Sequence, residues 1–142
     1  MRLKKKPVES VFELDSSFGK FSVTIKQVRV GDDIKRAELM ATSSLVINDQ
    51  LFGQEIKQKL NQEELRRYEV YLTLVDCDLE AEDDDGNIIG PWFKFVNHRL
   101  VSQADFETAY NSLPSEIAKL IQEKVREVNF TWKPNSEEDE GE

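Results

Sequence analysis

Leu65, Tyr68, Leu72, Val75 and Leu79 recur at intervals of three, four, three and four residues. Side chains at that spacing share one face of an α-helix, which completes a turn every 3.6 residues. Val70, Tyr71 and Leu74 widen the stripe to an arc that only a helix central to a core can bury. Asn61-Gln62-Glu63-Glu64, just ahead, supplies a polar cap residue with a Glu three positions on, which satisfies the open N–H groups of a first turn. A central helix from about Asn61 to Leu79 is expected, and the rest of the chain must cover it.

The N-terminal flank reads as a β-hairpin. Val11-Phe12-Glu13-Leu14 and Phe21-Ser22-Val23-Thr24-Ile25 bracket the turn residues Asp15-Ser16-Ser17-Phe18-Gly19, and the second run alternates apolar and polar. Gly31-Asp32-Asp33 then caps a helix carrying Ile34, Ala37, Leu39, Met40, Ala41, Leu45 and Val46 that ends near Asn48. Leu51 to Leu60 reads as a short helical piece. Beyond the central helix, Glu80 to Asn87 is an acidic loop, and Ile88 to Val96 is a further strand or a packed loop interrupted by Gly90-Pro91. Ser102-Gln103-Ala104-Asp105 is a capping box opening a helix with Phe106, Ala109, Tyr110 and Leu113 inward. Pro114 suits the start of a last helix presenting Ile117, Leu120, Ile121, Val125 and Val128.

A chain of 142 residues, 39% of them apolar, closes one core. The expected fold class is α+β. A mostly helical single domain over residues 11–134 begins with the β-hairpin, a basic flexible leader precedes it at 1–10, and a disordered acidic tail follows at 135–142, where apolar residues are too few to fold. No run approaches the roughly 20 apolar residues of a membrane span. Met1 to Pro7 lacks the apolar stretch of a signal peptide, so the cytoplasm is the expected compartment.

The formal net charge of -9 is unevenly placed. Asp76, Asp78, Glu80, Glu82, Asp83, Asp84 and Asp85 form one acidic block, and Glu137, Glu138, Asp139, Glu140 and Glu142 the other. Of 28 acids these hold 12, leaving 16 against 19 Lys and Arg. Such acidic appendages repel phosphate backbones, which argues against nucleic-acid binding.

Catalytic, metal and cofactor sites are not expected. Aligning Gly86 with the glycine of an EF-hand loop puts Ala81 and Trp92 where the first and twelfth ligands belong, so Glu82 to Asn87 lacks two oxygen ligands. His98, the single histidine, has no partner at motif spacing, and Cys77 reads as a small packing residue. Partner binding is the remaining role. Candidate contacts are the aromatic segment Trp92, Phe93 and Phe95, the terminal Trp132, and the acids Asp83, Asp84 and Asp85, with Phe93 and Phe95 also suited to the core.

Three features together carry a family likeness. They are the hairpin around Phe12-Glu13-Leu14 and Gly19 to Ile25 leading into Arg36-Ala37-Glu38-Leu39-Met40, a largely helical body, and the run from Phe106 through Leu113-Pro114 to Val128-Asn129 and Trp132-Lys133-Pro134 before an acidic tail. In this order of elements the chain resembles the tail assembly chaperones of long-tailed (siphophage-like) bacteriophages. The resemblance implies a viral protein acting in the host cytoplasm and absent from the mature virion. Its partners would be the tape measure protein, which it coats, and the tail tube protein, whose subunits it helps recruit. Self-association as rings or dimers fits the same reading. The alternative is a small acidic interaction or inhibitor protein that occupies a basic surface of a host or partner protein through its acidic blocks.

Overall fold

In a computed structural model the chain is described for residues 1–48 and 54–132. The hairpin forms as β1 (Glu9–Ser16) and β2 (Gly19–Lys26), in register from Glu9 opposite Lys26 to Ser16 opposite Gly19. The connection is tighter than the five-residue turn expected, with only Ser17 and Phe18 between the strands. Ser16 Oγ closes it by donating to the Gly19 carbonyl (2.8 Å) and accepting from the Phe18 N–H (3.1 Å). The leader is shorter too, because β1 starts at Glu9.

Helix α1 spans Val30–Asn48, the last described residue before 49–53, so the expected end near Asn48 lies at the edge of the described residues. Its N-cap is Arg29, two residues before Gly31. Asp32 Oδ2 reaches back to accept from the Arg29 N–H at 3.0 Å, the acid half of a capping box. Asp32 and Asp33 thus sit in the first turn, where the helix dipole favours negative charge.

The central helix departs from expectation at both ends. Helix α2 runs Gln54–Thr73, straight through Asn61 to Glu64, so those residues are helix interior rather than a cap. It stops six residues before Leu79, and Leu74–Cys77 is a strand, β3, paired antiparallel with β2. Leu72-Thr73-Leu74-Val75-Asp76-Cys77 places apolar side chains suitably for either period. The open edge of β2 decides, by giving the backbone of a β-branched, half-apolar segment a full set of partners. A bulge opposite Thr24 and Ile25 absorbs Val75.

The acidic segment is not a loop. Strands β4 (Glu80–Glu82) and β5 (Ile88–Pro91) form a second hairpin, and β6 (Phe95–Val96) and β7 (Arg99–Leu100) a third. Helix α3 (Gln103–Asn111) opens on Ser102, whose hydroxyl accepts from the Asp105 N–H as the capping box requires, and helix α4 (Ser115–Val128) begins just after Pro114. A 3-10 turn, Phe130–Trp132, follows. The α+β class stands, but the body is not mostly helical: seven strands in three antiparallel sheets accompany four α-helices among the described residues. The reading of residues 51–53 as helix, and of 135–142 as a disordered acidic tail, lies outside the described residues.

The core lies between the sheet β1–β2–β3 and α4. Leu14, Phe21, Val23 and Ile25 face Ile117, Ile121 and Val125, the buried stripe of α4 at fourfold spacing. Each such aliphatic side chain contributes roughly 1.5 to 3 kcal/mol when removed from water. An aromatic group extends the core toward α3, with Phe106 5.5 to 5.6 Å from the rings of Tyr71, Phe93 and Tyr110.

At the junction of α1, α2 and α4 lies a buried carboxylate. Glu69 is 1% exposed; Arg126 of α4 grips it with two N–H groups (Nε at 2.9 Å, Nη2 at 3.2 Å), and Arg36 Nε of α1 donates at 2.9 Å. Arg36 also lies 5.1 Å over the Trp132 ring, while Trp132 Nε1 donates to Asp33 Oδ1 at 2.8 Å. The buried Asn129 side chain accepts from the Val28 N–H and donates to the Lys26 carbonyl, tying the end of α4 to the exit from β2.

Removing one member of a buried ion group strands the others in a poorly hydrated place. Glu69→Gln should therefore lower the urea unfolding free energy by about 3 kcal/mol or more. Trp132→Phe, which loses the N–H donor and part of the buried ring volume, should cost about 2 kcal/mol or more. A second expectation concerns Glu116 at the start of α4, which accepts from both the hydroxyl and the N–H of Ser17 and so ties the hairpin turn to that helix. Those hydrogen bonds hold its carboxyl below the usual range. The tie stabilises above that range and is lost as pH falls through the lowered value. The Ser17 amide resonance should titrate at a pH below that of an ordinary glutamate, and Glu116→Gln should abolish the titration.

Candidate functional site

The aromatic side chains proposed as partner contacts are committed to the fold. Phe93 and Trp132 are buried, and Trp92 and Phe95 are partly buried. Trp92 Nε1 donates to the Ala109 carbonyl at 2.9 Å, fastening the segment after β5 to α3. Trp132 staples the chain to α1. Phe93 thus packs in the core, as does Phe95 in part, in line with the suitability for the core read from the sequence, while Trp92 and Trp132 also take part in packing.

The acids behave differently from one another. Asp83 Oδ1 accepts from the N–H groups of Asn87 and Asp85, both at 2.9 Å, and so organises the β4–β5 turn; these bonds hold its carboxyl below the usual range. Asp84 and Asp85 are exposed. Asp78 accepts from the Ser22 N–H at 2.7 Å and Asp76 from the Cys77 N–H at 2.9 Å. All the acids of the middle block are exposed, and Asp76, Asp78 and Asp83 also accept backbone N–H groups at turns and strand ends. Among the described residues no three of His, Cys, Asp and Glu converge where they could hold a metal ion.

Cys77 is buried in β3, and burial pushes its thiol up to about 12. His98 is exposed at the β6–β7 turn, with Nδ1 3.4 Å from a carboxylate oxygen of Glu9.

One concavity among the described residues is not announced by the sequence. A groove of about 620 Å3 opens between the leader, the ends of β1 and β2, the first turn of α1, the α2–β3 junction and the β6–β7 turn. Its floor is apolar, from Pro7, Tyr71, Leu72, Leu74, Val75 and Leu100. Its rim carries Lys6, Lys26, Lys35, His98 and Arg99 against two acids, Glu9 and Asp32. Lys26 pairs with Asp32 at 3.5 Å, and Glu9 with His98. Lys6, Lys35 and Arg99 have no carboxylate within ion-pair distance among the described residues, so the rim is net positive on a chain whose charge is -9.

Local structure explains how the groove holds its shape. The leader does not hang free: the Lys4 carbonyl accepts from Arg29 Nη2 at 3.0 Å and the Val8 carbonyl from the Gln27 N–H at 2.8 Å. The switch from α2 to β3 turns Leu74 and Val75 into the floor. At the far rim, Asn97 and His98 both have left-handed backbones (φ 52° and 59°), as a two-residue hairpin turn demands. Asn suits such a position; glycine, not histidine, is the usual second residue. The sequence signals were only the Lys4-Lys5-Lys6 cluster and Asn97-His98, too far apart along the chain to be joined without the fold.

No family model matches the chain, and neither the curated proteins nor the solved structures contain a match to it.

The elevated Cys77 value cuts its thiolate fraction near neutral pH roughly a thousandfold relative to a free cysteine. A thiol-reactive dye should label the folded protein very slowly and the urea-unfolded protein fully. Rapid labelling of the folded chain would show that β3 opens away from β2.

Proposed function

We propose that this chain is a partner-binding protein acting as a phage tail assembly chaperone, and that it uses the basic-rimmed groove to hold a segment of the tape measure protein while tail tube subunits are recruited. The groove is the observation that carries this reading. It falls within the volume range of sites that engage ligands and peptide side chains, and it combines an apolar floor with a small number of placed polar groups. The likeness to the tail assembly chaperones suggests the class of partner; it rests on the hairpin leading into α1 and on the α3–α4 run to Trp132, without the largely helical body. On this reading the protein works in the host cytoplasm and is absent from the finished particle.

The charge-mimic alternative keeps a physical basis, since Asp76, Asp78, Glu80 and Glu82 to Asp85 all face water, and salt dependence separates it from the groove reading.

Tagged full-length chain used as bait in infected-cell lysate, at low and at moderate salt, separates the two. The tape measure protein and a tube subunit should be retained at moderate salt, and the exposed double variant Lys35→Glu/Arg99→Glu should lose the tape measure protein. Recovery only of a basic host protein that salt releases would replace this reading with the alternative.

A further inference from the structure

We infer that the groove takes an extended partner segment that is acidic and carries an apolar anchor, rather than a basic or purely polar one. The inference rests on the groove being the partner-binding site and adds the chemistry of what binds. Three observations lead to it.

The first is charge. On a strongly acidic chain the groove rim concentrates Lys6, Lys35 and Arg99, none with a carboxylate in ion-pair range among the described residues. Carboxylates spaced along an extended segment would neutralise them, whereas a basic segment would meet like charge.

The second is the floor. Pro7, Tyr71 and Leu100 are only partly buried and supply most of the apolar surface open to an occupant, while Leu72 and Val75 beside them at the α2–β3 junction are themselves buried. An apolar side chain seated there is removed from water. This argues against the chain's own acidic stretch as the preferred occupant, because Ser136 to Glu142 contains no apolar side chain to seat.

The third is His98. A left-handed backbone is unfavourable for a residue with a Cβ, and glycine would relieve the turn. The imidazole nonetheless stands at the rim beside Glu9, where it can donate to an incoming carboxylate. Unfavourable backbone geometry at the edge of a concavity fits a side chain kept for contact rather than for the turn.

The test uses the full chain and three synthetic peptides: one alternating Glu with Leu and Phe, the same peptide with Lys in place of Glu, and an oligoglutamate of equal length. Affinity is measured by calorimetry, and the site by chemical shifts of the Val75 methyl groups and the His98 ring. The Glu–Leu–Phe peptide should bind, move both sets of resonances, and weaken roughly tenfold or more in Lys35→Glu/Arg99→Glu. His98→Gly should weaken binding while leaving the melting temperature equal or higher, which a purely structural histidine would not do. Equal or tighter binding of the Lys peptide overturns the inference, as does binding of oligoglutamate as tight as that of the anchored peptide, or shifts confined to another face. Concentration-dependent shifts at Val75 without peptide, marking a second copy in the groove, overturn it too. If none of the peptides binds while the lysate experiment shows tape measure capture lost in the double variant, the inference about chemistry fails and the proposed function stands. If capture survives the double variant, the assignment of the groove itself fails.

Discussion

One carboxylate withdrawn from water sets the relative positions of three helices. Glu69 accepts from Arg126 through two N–H groups and from Arg36 through a third, so α1, α2 and α4 meet at a point where small displacements leave a charge unpaired. Hydrophobic contacts tolerate sliding; a buried carboxylate with three directed donors does not. Such groups add little net stability compared with apolar replacements, but they discriminate against misaligned packings. The same Arg36 stacks on Trp132, and Asp33 accepts from that ring's N–H, so the closing turn of the chain is fixed by the charges that align the helices.

That alignment reaches the groove directly. Asp32 and Lys35 flank the residues of α1 that hold Trp132 and Glu69, and Tyr71 and Leu72 follow Glu69 by less than one helical turn. The Thr73 hydroxyl donates to the Glu69 carbonyl at 2.7 Å in the last turn of α2, after which the backbone departs into β3. Helix end, strand start and groove floor are consecutive consequences of where Glu69 is anchored. The opposite rim depends on separate local chemistry, the left-handed pair Asn97-His98 between two short strands.

The acidic character of the chain and its one positive groove belong together. Exposed carboxylates on the β4–β5 hairpin keep the general surface negative, so a small excess of cations around an apolar floor stands out as a local field. Asp83 also organises the turn by accepting from the N–H groups of Asp85 and Asn87 while remaining exposed.

The sequence alone determined features whose causes are local: the existence of the N-terminal hairpin though not its tight Ser17–Phe18 turn, the Ser102 cap and the fourfold stripe of α4. Turn chemistry, capping and short-period burial are local, so they can be read locally. Only the tertiary structure decided whether Leu74 to Cys77 continued a helix or joined a sheet, because an apolar segment of that length satisfies both periods and the open edge of β2 lies some 50 residues earlier in the chain. It also placed Trp92, Phe93 and Trp132 in the packing, since their partners Ala109, Phe106, Asp33 and Arg36 come from other elements. The groove was legible in no single segment. Its charges come from the leader, β2, α1 and the β6–β7 turn, and electrostatic convergence of that kind exists only after the core has brought those segments together.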